Sequence, residues 1–365
     1  MRFGRTWFTR VVLACALAGS CTGTAASSAE AVGRDFFGVV TIQAPTASDF
    51  QTMGRGRVGT LRTLFFWATV EPTPGARNWG LYDQLVANAS AQGVKVLPVL
   101  FGSPSFAQSP ETRYPIRKAG RRAFARFASD AVNRYKAGGT FWQSSYWLSF
   151  AAAHPGVQPV PITDWQLWNE VNSPSYSTPH PRVGQYAALL KATGSAVHGA
   201  DRNAHLILAG MFTRPSQRRA IPLEGYLNSL YKVKGAKRAF DALAVHPYAH
   251  RPADALRTVR RVRRLTRRHH DASTPIWVTE LGWASSGTLS RYTTSPEGQA
   301  ANLQASFSSL QANAARLGIA GVLWYSLVDG SATNAYWLNR TGLFEPNGTP
   351  KPSWFSFVSF TGGQP

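Results

Sequence analysis

What most constrains this chain is an alternation. Eight short apolar runs, rich in β-branched and aromatic residues, lie at 36–41, 60–66, 94–100, 165–169, 205–209, 240–245, 276–279 and 321–326. Between them stand stretches with helical spacing. Leu81, Leu85, Val86 and Ala89 mark one, stopped by Gly93; Phe124, Phe127, Ala131, Val132 and Tyr135 mark a longer one. Leu303, Phe307, Leu310 and Ala314 mark another, with Gly318 close behind. Strand and helix alternating eight times predict a (β/α)8 TIM barrel, folded as a single domain over residues 32–365. A doubly wound sheet is the alternative, but no Gly-rich phosphate turn follows the first run.

Two of the runs end in the same way. Asp164-Trp165-Gln166-Leu167-Trp168-Asn169-Glu170-Val171-Asn172 begins as a strand, turns polar and meets Ser173-Pro174, which ends it. Pro275-Ile276-Trp277-Val278-Thr279-Glu280-Leu281-Gly282-Trp283 repeats the pattern. In a barrel, the C-terminal ends of the strands share one mouth. A lone Glu there reads as readily as an ion-pair partner. Two of them, 110 positions apart and each beside Trp, make the pair of carboxyl groups that glycoside hydrolysis requires. His246-Pro247-Tyr248 follows the sixth run, and Trp324, Tyr325 and Asp329 close the eighth. Trp324 and Tyr325 are adjacent, so only one of them faces inward.

Composition narrows the class. Arg2, Arg5 and Arg10, an apolar core from Val11 to Gly19 and a small-residue site at Ala29-Glu30-Ala31 read as a secretory signal over residues 1–31. That apolar core is too short to span a bilayer. Cys21 faintly suggests lipidation, but release into the extracellular space is the expectation. Both cysteines, Cys15 and Cys21, fall in this segment, so the processed chain would hold no disulfide, thiolate metal site or Cys nucleophile. Losing Arg2, Arg5, Arg10 and Glu30 lowers the net charge from +21 to +19. The densest basic run is 257–270, where Leu256, Val259, Val262 and Leu265 give a packing face and the arginines a solvated one. One reading is simply a solvated basic helix; the other is attraction to anionic cell-wall polymer or acidic polysaccharide. Nucleic acid fits poorly, because the run lacks interleaved aromatics. The segment 101–161 carries Phe106, Tyr114, Phe141, Trp142, Tyr146, Trp147 and Phe150, as either a wall of the cleft or a self-packed flap.

With these residues in view, the chain resembles the retaining glycoside hydrolases of clan A, barrel enzymes with catalytic Glu at strands four and seven. Within the clan it is most similar to families 39 and 5, over residues 36–360. Trp168-Asn169-Glu170 and Thr279-Glu280 carry the resemblance. Arg62, Trp67 with Val70-Glu71-Pro72, His246-Pro247-Tyr248, Trp324, Gly342-Leu343-Phe344 and Thr349-Pro350-Lys351-Pro352 support it. It implies double displacement at an equatorial, β-type O-glycosidic bond, with Glu170 as acid/base and Glu280 as nucleophile. Asn169 would meet the 2-hydroxyl, Trp324 would floor the sugar site, and Trp67 and Trp283 would add contacts. Tyr248 and Arg62 are the donors that would keep Glu280 ionised; an apolar setting beside Trp168 would hold the proton on Glu170. Retention asks for carboxyl groups about 5–5.5 Å apart. Val171 stands where the family often has Pro, so the following loop takes its own course.

The implied partner is an oligo- or polysaccharide, handled by a monomer. No metal or organic cofactor is required, since two carboxyls and water suffice, and His269-His270 have no carboxylate at ligand spacing. Other readings stand beside these. Arg62 fits a buried ion pair, His246 a satisfied core histidine, and Trp67 and Trp283 plain packing. The whole chain also fits a non-catalytic carbohydrate-binding barrel, a transglycosylase, or an anionic cell-wall-binding protein acting through the basic helix.

Overall fold

Whether a polar side chain enters a barrel is settled by strand register. The computed structural model describes residues 32–331 and 333–365; the expected signal at 1–31 lies outside them. Its strands are β1 (Phe37–Val40), β2 (Thr60–Phe66), β3 (Lys95–Phe101), β4 (Asp164–Leu167), β5 (His205–Ile207), β6 (Met211–Phe212), β7 (Leu243–His246), β8 (Ile276–Leu281) and β9 (Ile319–Tyr325). All pair in parallel, in the order β5-β4-β3-β2-β1-β9-β8-β7-β6. The two ends of that order are neighbours in sequence. Across the gap Ile207 bridges to Ala242 and Asn169 to Gly210, and the Leu208 N–H donates to the Ala242 carbonyl at 2.9 Å. The sheet is thus curled into an α/β barrel. Each of the eight runs expected from the sequence holds a strand.

Helices cover the outside, and their ends carry the expected signals. Thr46 and Asp49 form a reciprocal cap on the helix Ala47–Arg55. Ser295 accepts from the Gly298 N–H at the start of Pro296–Gln311. Gly318 and Gly362 end helices in the left-handed conformation. The core has two parts. A small inner one, with Val40, Leu97, Ile207, Ala242, Ala244 and Leu323, fills the barrel. A larger one, rich in aromatics, lies between strands and helices.

Two expectations are refined here. The 101–161 segment packs outward: Phe141, Trp142 and Trp147 are buried around Tyr135 of the helix Lys118–Tyr135, as a self-packed flap does. In the helix Pro252–Arg268 the apolar face is buried as expected, but Arg263 is buried with it. Its guanidinium donates to the carbonyls of Leu317, Ala272 and Thr274, so the buried charge is met by loop and helix-end carbonyls. Arg260, Arg264, Arg267 and Arg268 stay exposed. No helix among the described residues is long and apolar enough to cross a membrane.

Candidate active site

Arg62 shows how register builds the site. It pairs with Val40 on one side and Leu97 on the other, both interior residues. Residues paired in register share a face, so Arg62 points into the barrel, where it is 2% exposed. A charge so placed needs partners. Its Nη1 donates to Glu280 Oε1 at 2.7 Å, its Nη2 to Asn169 Oδ1 at 2.8 Å, and its Nε to Gln166 Oε1 at 2.6 Å. Gln166 pairs with the interior Ile207, which explains a polar residue between Trp165 and Leu167 in an apolar strand.

Both glutamates reach the mouth through irregular backbone. After β4 the chain adopts positive φ at Trp168 (68°) and Glu170 (36°). Each such residue costs on the order of 1–3 kcal/mol, so other contacts must impose it. The Trp168 N–H donates to the Leu100 carbonyl at 3.0 Å, its indole Nε1 to the Tyr176 carbonyl at 3.0 Å, and the Glu170 N–H to the Gly210 carbonyl at 2.8 Å. In β8 the register shifts: Val278 pairs with Val322, but Leu281 pairs with Trp324. One extra residue therefore sits in β8 against β9. This bulge lets Thr279 and Glu280, though adjacent, both contact interior groups.

His246, the last residue of β7, joins the pieces. Its Nδ1 lies 2.9 Å from Glu170 Oε1 and 3.5 Å from Glu280 Oε2, and its Nε2 lies 3.1 Å from Thr279 Oγ1. The ring is wholly buried. Burial, helped by Arg62, pushes its pKa well below the ordinary value, so the imidazole is neutral. With an ionised Glu170 it donates from Nδ1 and accepts from the Thr279 hydroxyl. Gly210 makes room for it, because a Cβ there would fall on the imidazole.

The two carboxyl groups differ in what they touch. Glu280 receives Arg62 and, at 3.0 Å, the Tyr248 hydroxyl on its other oxygen. Among the described residues the Glu170 carboxyl is hydrogen-bonded to His246 alone, and its side chain is 15% exposed. Burial, then the negative charge of Glu280, holds Glu170 well above the usual carboxylate range. Burial raises Glu280 too, but Arg62 and the Tyr248 hydroxyl pull against it. Tyr248 and Tyr325 stay protonated, raised first by burial and then by Glu280. Of the two carboxyls, Glu280 is the one that donors hold toward its charged form, and Glu170 the one that burial and the Glu280 charge push toward its protonated form.

The structure thus brings together Glu170, Glu280, Asn169, Arg62, His246 and Tyr248. It does not bring in Trp324, Trp67 or Trp283, all at most 1% exposed. Trp324 follows the interior Leu323 and so faces outward, against Phe307 and Trp283, with its Nε1 on the Thr341 carbonyl. Tyr325, paired with Val40, takes the inward position. Trp67 packs among Phe106, Phe124 and Phe127 and donates to Glu71 at 2.6 Å. Trp283 donates to the His250 carbonyl at 3.3 Å. Asp329 is paired with Lys351 at 2.6 Å. Gln166 and Tyr325 enter the site as well, Tyr325 as the inward one of the pair 324–325, and Tyr176 joins through a hydrogen bond with Asn169. Alternation from Trp165 and Trp324 points to the first two; Tyr176 arrives on a loop with no sequence signal.

Among the described residues one set of side chains has metal-ligand spacing: Glu170, His246 and Glu280, whose ligand atoms lie within 4.8 Å of one another. Arg62 already supplies a cation to Glu280 and opposes a second one. A cleft of about 480 Å³ is lined by Gln43, Asp49, Ser331 and Asn347, and neither Glu170 nor Glu280 lines it.

No family profile matches the chain, and no curated protein does. Solved structures match in fold. A family 39 glycoside hydrolase from Bacteroides cellulosilyticus WH2 superposes with a TM-score of 0.67 at 20% identity, over 91% of this chain and 64% of its own. A GH39 β-xylosidase from Caulobacter crescentus gives 0.63 at 16%, over 91% and 72%. A GH5_18 protein from Bifidobacterium longum subsp. longum, solved with Manβ1-4GlcNAc, gives 0.61 at 16%, over 90% and 78%. The chain therefore spans less than two thirds of the Bacteroides protein. The resemblance to families 39 and 5 holds at the level of fold.

Proposed function

We propose that this protein is an exported, retaining β-glycosidase that cleaves a glycan by double displacement, with Glu280 as nucleophile and Glu170 as acid/base. The observation that carries the proposal is the unlike pair of carboxyl groups, Glu280 buried and Glu170 partly exposed, with oxygens within 4.8 Å, just past the end of β4 and at the end of β8. Retention requires carboxyls about 5–5.5 Å apart, whereas inversion needs about 6.5–9.5 Å to admit a water. Arg62 and Tyr248 suit a carboxylate that must stay charged; Glu170, facing neutral His246, suits a proton donor. Asn169, oriented by Arg62, is placed to bind a hydroxyl beside the reacting carbon, and Tyr325 to line that sugar.

The proposal also takes β5 and β6 as halves of one strand interrupted at 208–210, which makes eight strand positions and a (β/α)8 barrel. Export rests on residues 2–31, and action as a monomer on the small, self-contained site. The exposed stripe of Arg260, Arg264, Arg267 and Arg268 would hold the protein near polyanions.

Aryl β-glycosides and polysaccharides should be screened with products followed by proton NMR from the first minutes, for wild type, Glu280→Gln and Glu170→Gln. The expected result is turnover with retained anomeric configuration, lost in Glu280→Gln. Inverted product would sink the retaining assignment; no turnover on any glycan, with no sugar affinity, would sink the glycosidase.

A further inference from the structure

Outward from Glu280 the cleft becomes aromatic. The Tyr248 ring stacks on Phe212 (5.2 Å, 20°) and meets Trp337 edge-on at 5.5 Å. Trp337 lies 4.5 Å from Tyr292 and 5.9 Å from Tyr336. Tyr248 and Trp337 are buried, but this ladder ends in the open: Tyr336 is 53% exposed and Leu289, on the facing loop, 91%. Packing gives no reason to leave two large apolar side chains uncovered together.

The rim is held rigid. The loops after β8 and β9 are joined by the Thr288 N–H on the Ala335 carbonyl (2.7 Å) and the Ser285 N–H on the Arg340 carbonyl (2.9 Å). Gly287 permits this approach, with φ 90° and a notional Cβ only 2.7 Å from the Ala335 carbonyl oxygen. Polar groups border the aromatic faces. The Arg291 guanidinium stands 5.8 Å over the Tyr292 ring, and the Arg291 carbonyl is tied to His250 Nδ1 at 3.0 Å. Flat apolar faces with cationic and hydroxyl groups at their edges match a sugar ring, which has C–H faces and a hydroxyl rim. A preformed shelf binds without first having to order itself.

We propose that Tyr336, backed by the buried Trp337 and by Tyr292, forms a second sugar-ring site outside the carboxylate pair, so that the protein prefers glycans of two or more units over monoglycosides. This rests on the glycosidase reading and adds a substrate class to it. The occupant is another ring of the same glycan, because the shelf is continuous with Tyr248, which touches Glu280.

The test compares kcat/KM on an aryl monoglycoside with kcat/KM on oligosaccharides of two to four units of the same sugar. Full-length wild type, Tyr336→Ala, Tyr336→Phe and Phe355→Ala are measured; Phe355 is equally open, 50% exposed, on the helix Pro352–Thr361. Glu280→Gln is titrated calorimetrically with the same sugars. Affinity should rise with chain length. Tyr336→Ala should lower the oligosaccharide-to-monoglycoside ratio by roughly 2- to 10-fold, the worth of one aromatic contact. Tyr336→Phe, which keeps the ring, and Phe355→Ala should leave that ratio unchanged. Hydrolysis with a ratio indifferent to Tyr336→Ala overturns the shelf and spares the glycosidase. Loss of the ratio in Phe355→Ala as well overturns it too, by making the effect nonspecific. No hydrolysis and no binding of any glycan overturns both.

Discussion

Replacing Gly210 with alanine puts a methyl group where His246 now stands. The new Cβ would lie 2.6 Å from the imidazole Cδ2, nearer still to Nε2, and 2.7 Å from Thr279 Oγ1. Ordinary contact begins near 3.4 Å, so the ring must retreat from Cδ2 by at least 3.4 − 2.6 = 0.8 Å. It has nowhere neutral to go, because its far side faces Glu170 at 2.9 Å and Glu280 at 3.5 Å. Overpacking of this kind costs about 1–3 kcal/mol. A displacement near 1 Å in a catalytic constellation lowers rate by roughly 10²-fold. Gly210→Ala should therefore lose stability in urea unfolding and about two orders of magnitude in kcat/KM on the best glycoside. His246→Ala removes the clashing ring, so the double variant should be more stable than the two single losses added together, by about 0.5–3 kcal/mol. Wild-type stability and rate in Gly210→Ala, or strict additivity in the cycle, would falsify the idea that Gly210 exists to seat His246.

Arg62→Met removes the cation from Glu280 and leaves two amide oxygens without a donor. Breaking a buried pair costs about 3–5 kcal/mol. Because Arg62 lowers the pKa of both glutamates, its loss raises them, so the acid limb of the kcat/KM profile should move to higher pH. The stability loss should be largest at neutral pH and shrink as pH falls and Glu280 protonates; a loss independent of pH would count against this. Alternation in β9 separates two neighbours. Trp324→Phe should cost about 1–2 kcal/mol of stability through the lost Thr341 hydrogen bond and packing and leave glycoside kcat/KM within about twofold. Tyr325→Ala should cut kcat/KM by tenfold or more. The reverse pattern in parallel melts and rate assays would place the indole, not the phenol, at the sugar.

How much was legible in advance follows from what each residue's role depends on. Alternating apolar runs and helical spacings pointed to the α/β barrel, because strand and helix periods are local and so regular an alternation leaves few ways to bury both faces. Glu170 and Glu280 stood out not singly, since a lone carboxyl there serves equally as an ion-pair partner, but as a pair on two strands whose ends share one mouth. Arg62 and Tyr248 followed as donors from their residue type, once the family resemblance had made Glu280 the nucleophile. Orientation did not. That Tyr325 rather than Trp324 looks inward depends on register with β1, and a single residue of slip reverses it. That Thr279 and Glu280 both reach interior groups depends on a bulge set by β9. The inward swing of Glu170 depends on positive φ at two residues, imposed by carbonyls of β3 and of the 208–210 segment. The tertiary structure alone decided these, because each is a strained or parity-dependent choice whose energy comes from contacts distant in sequence.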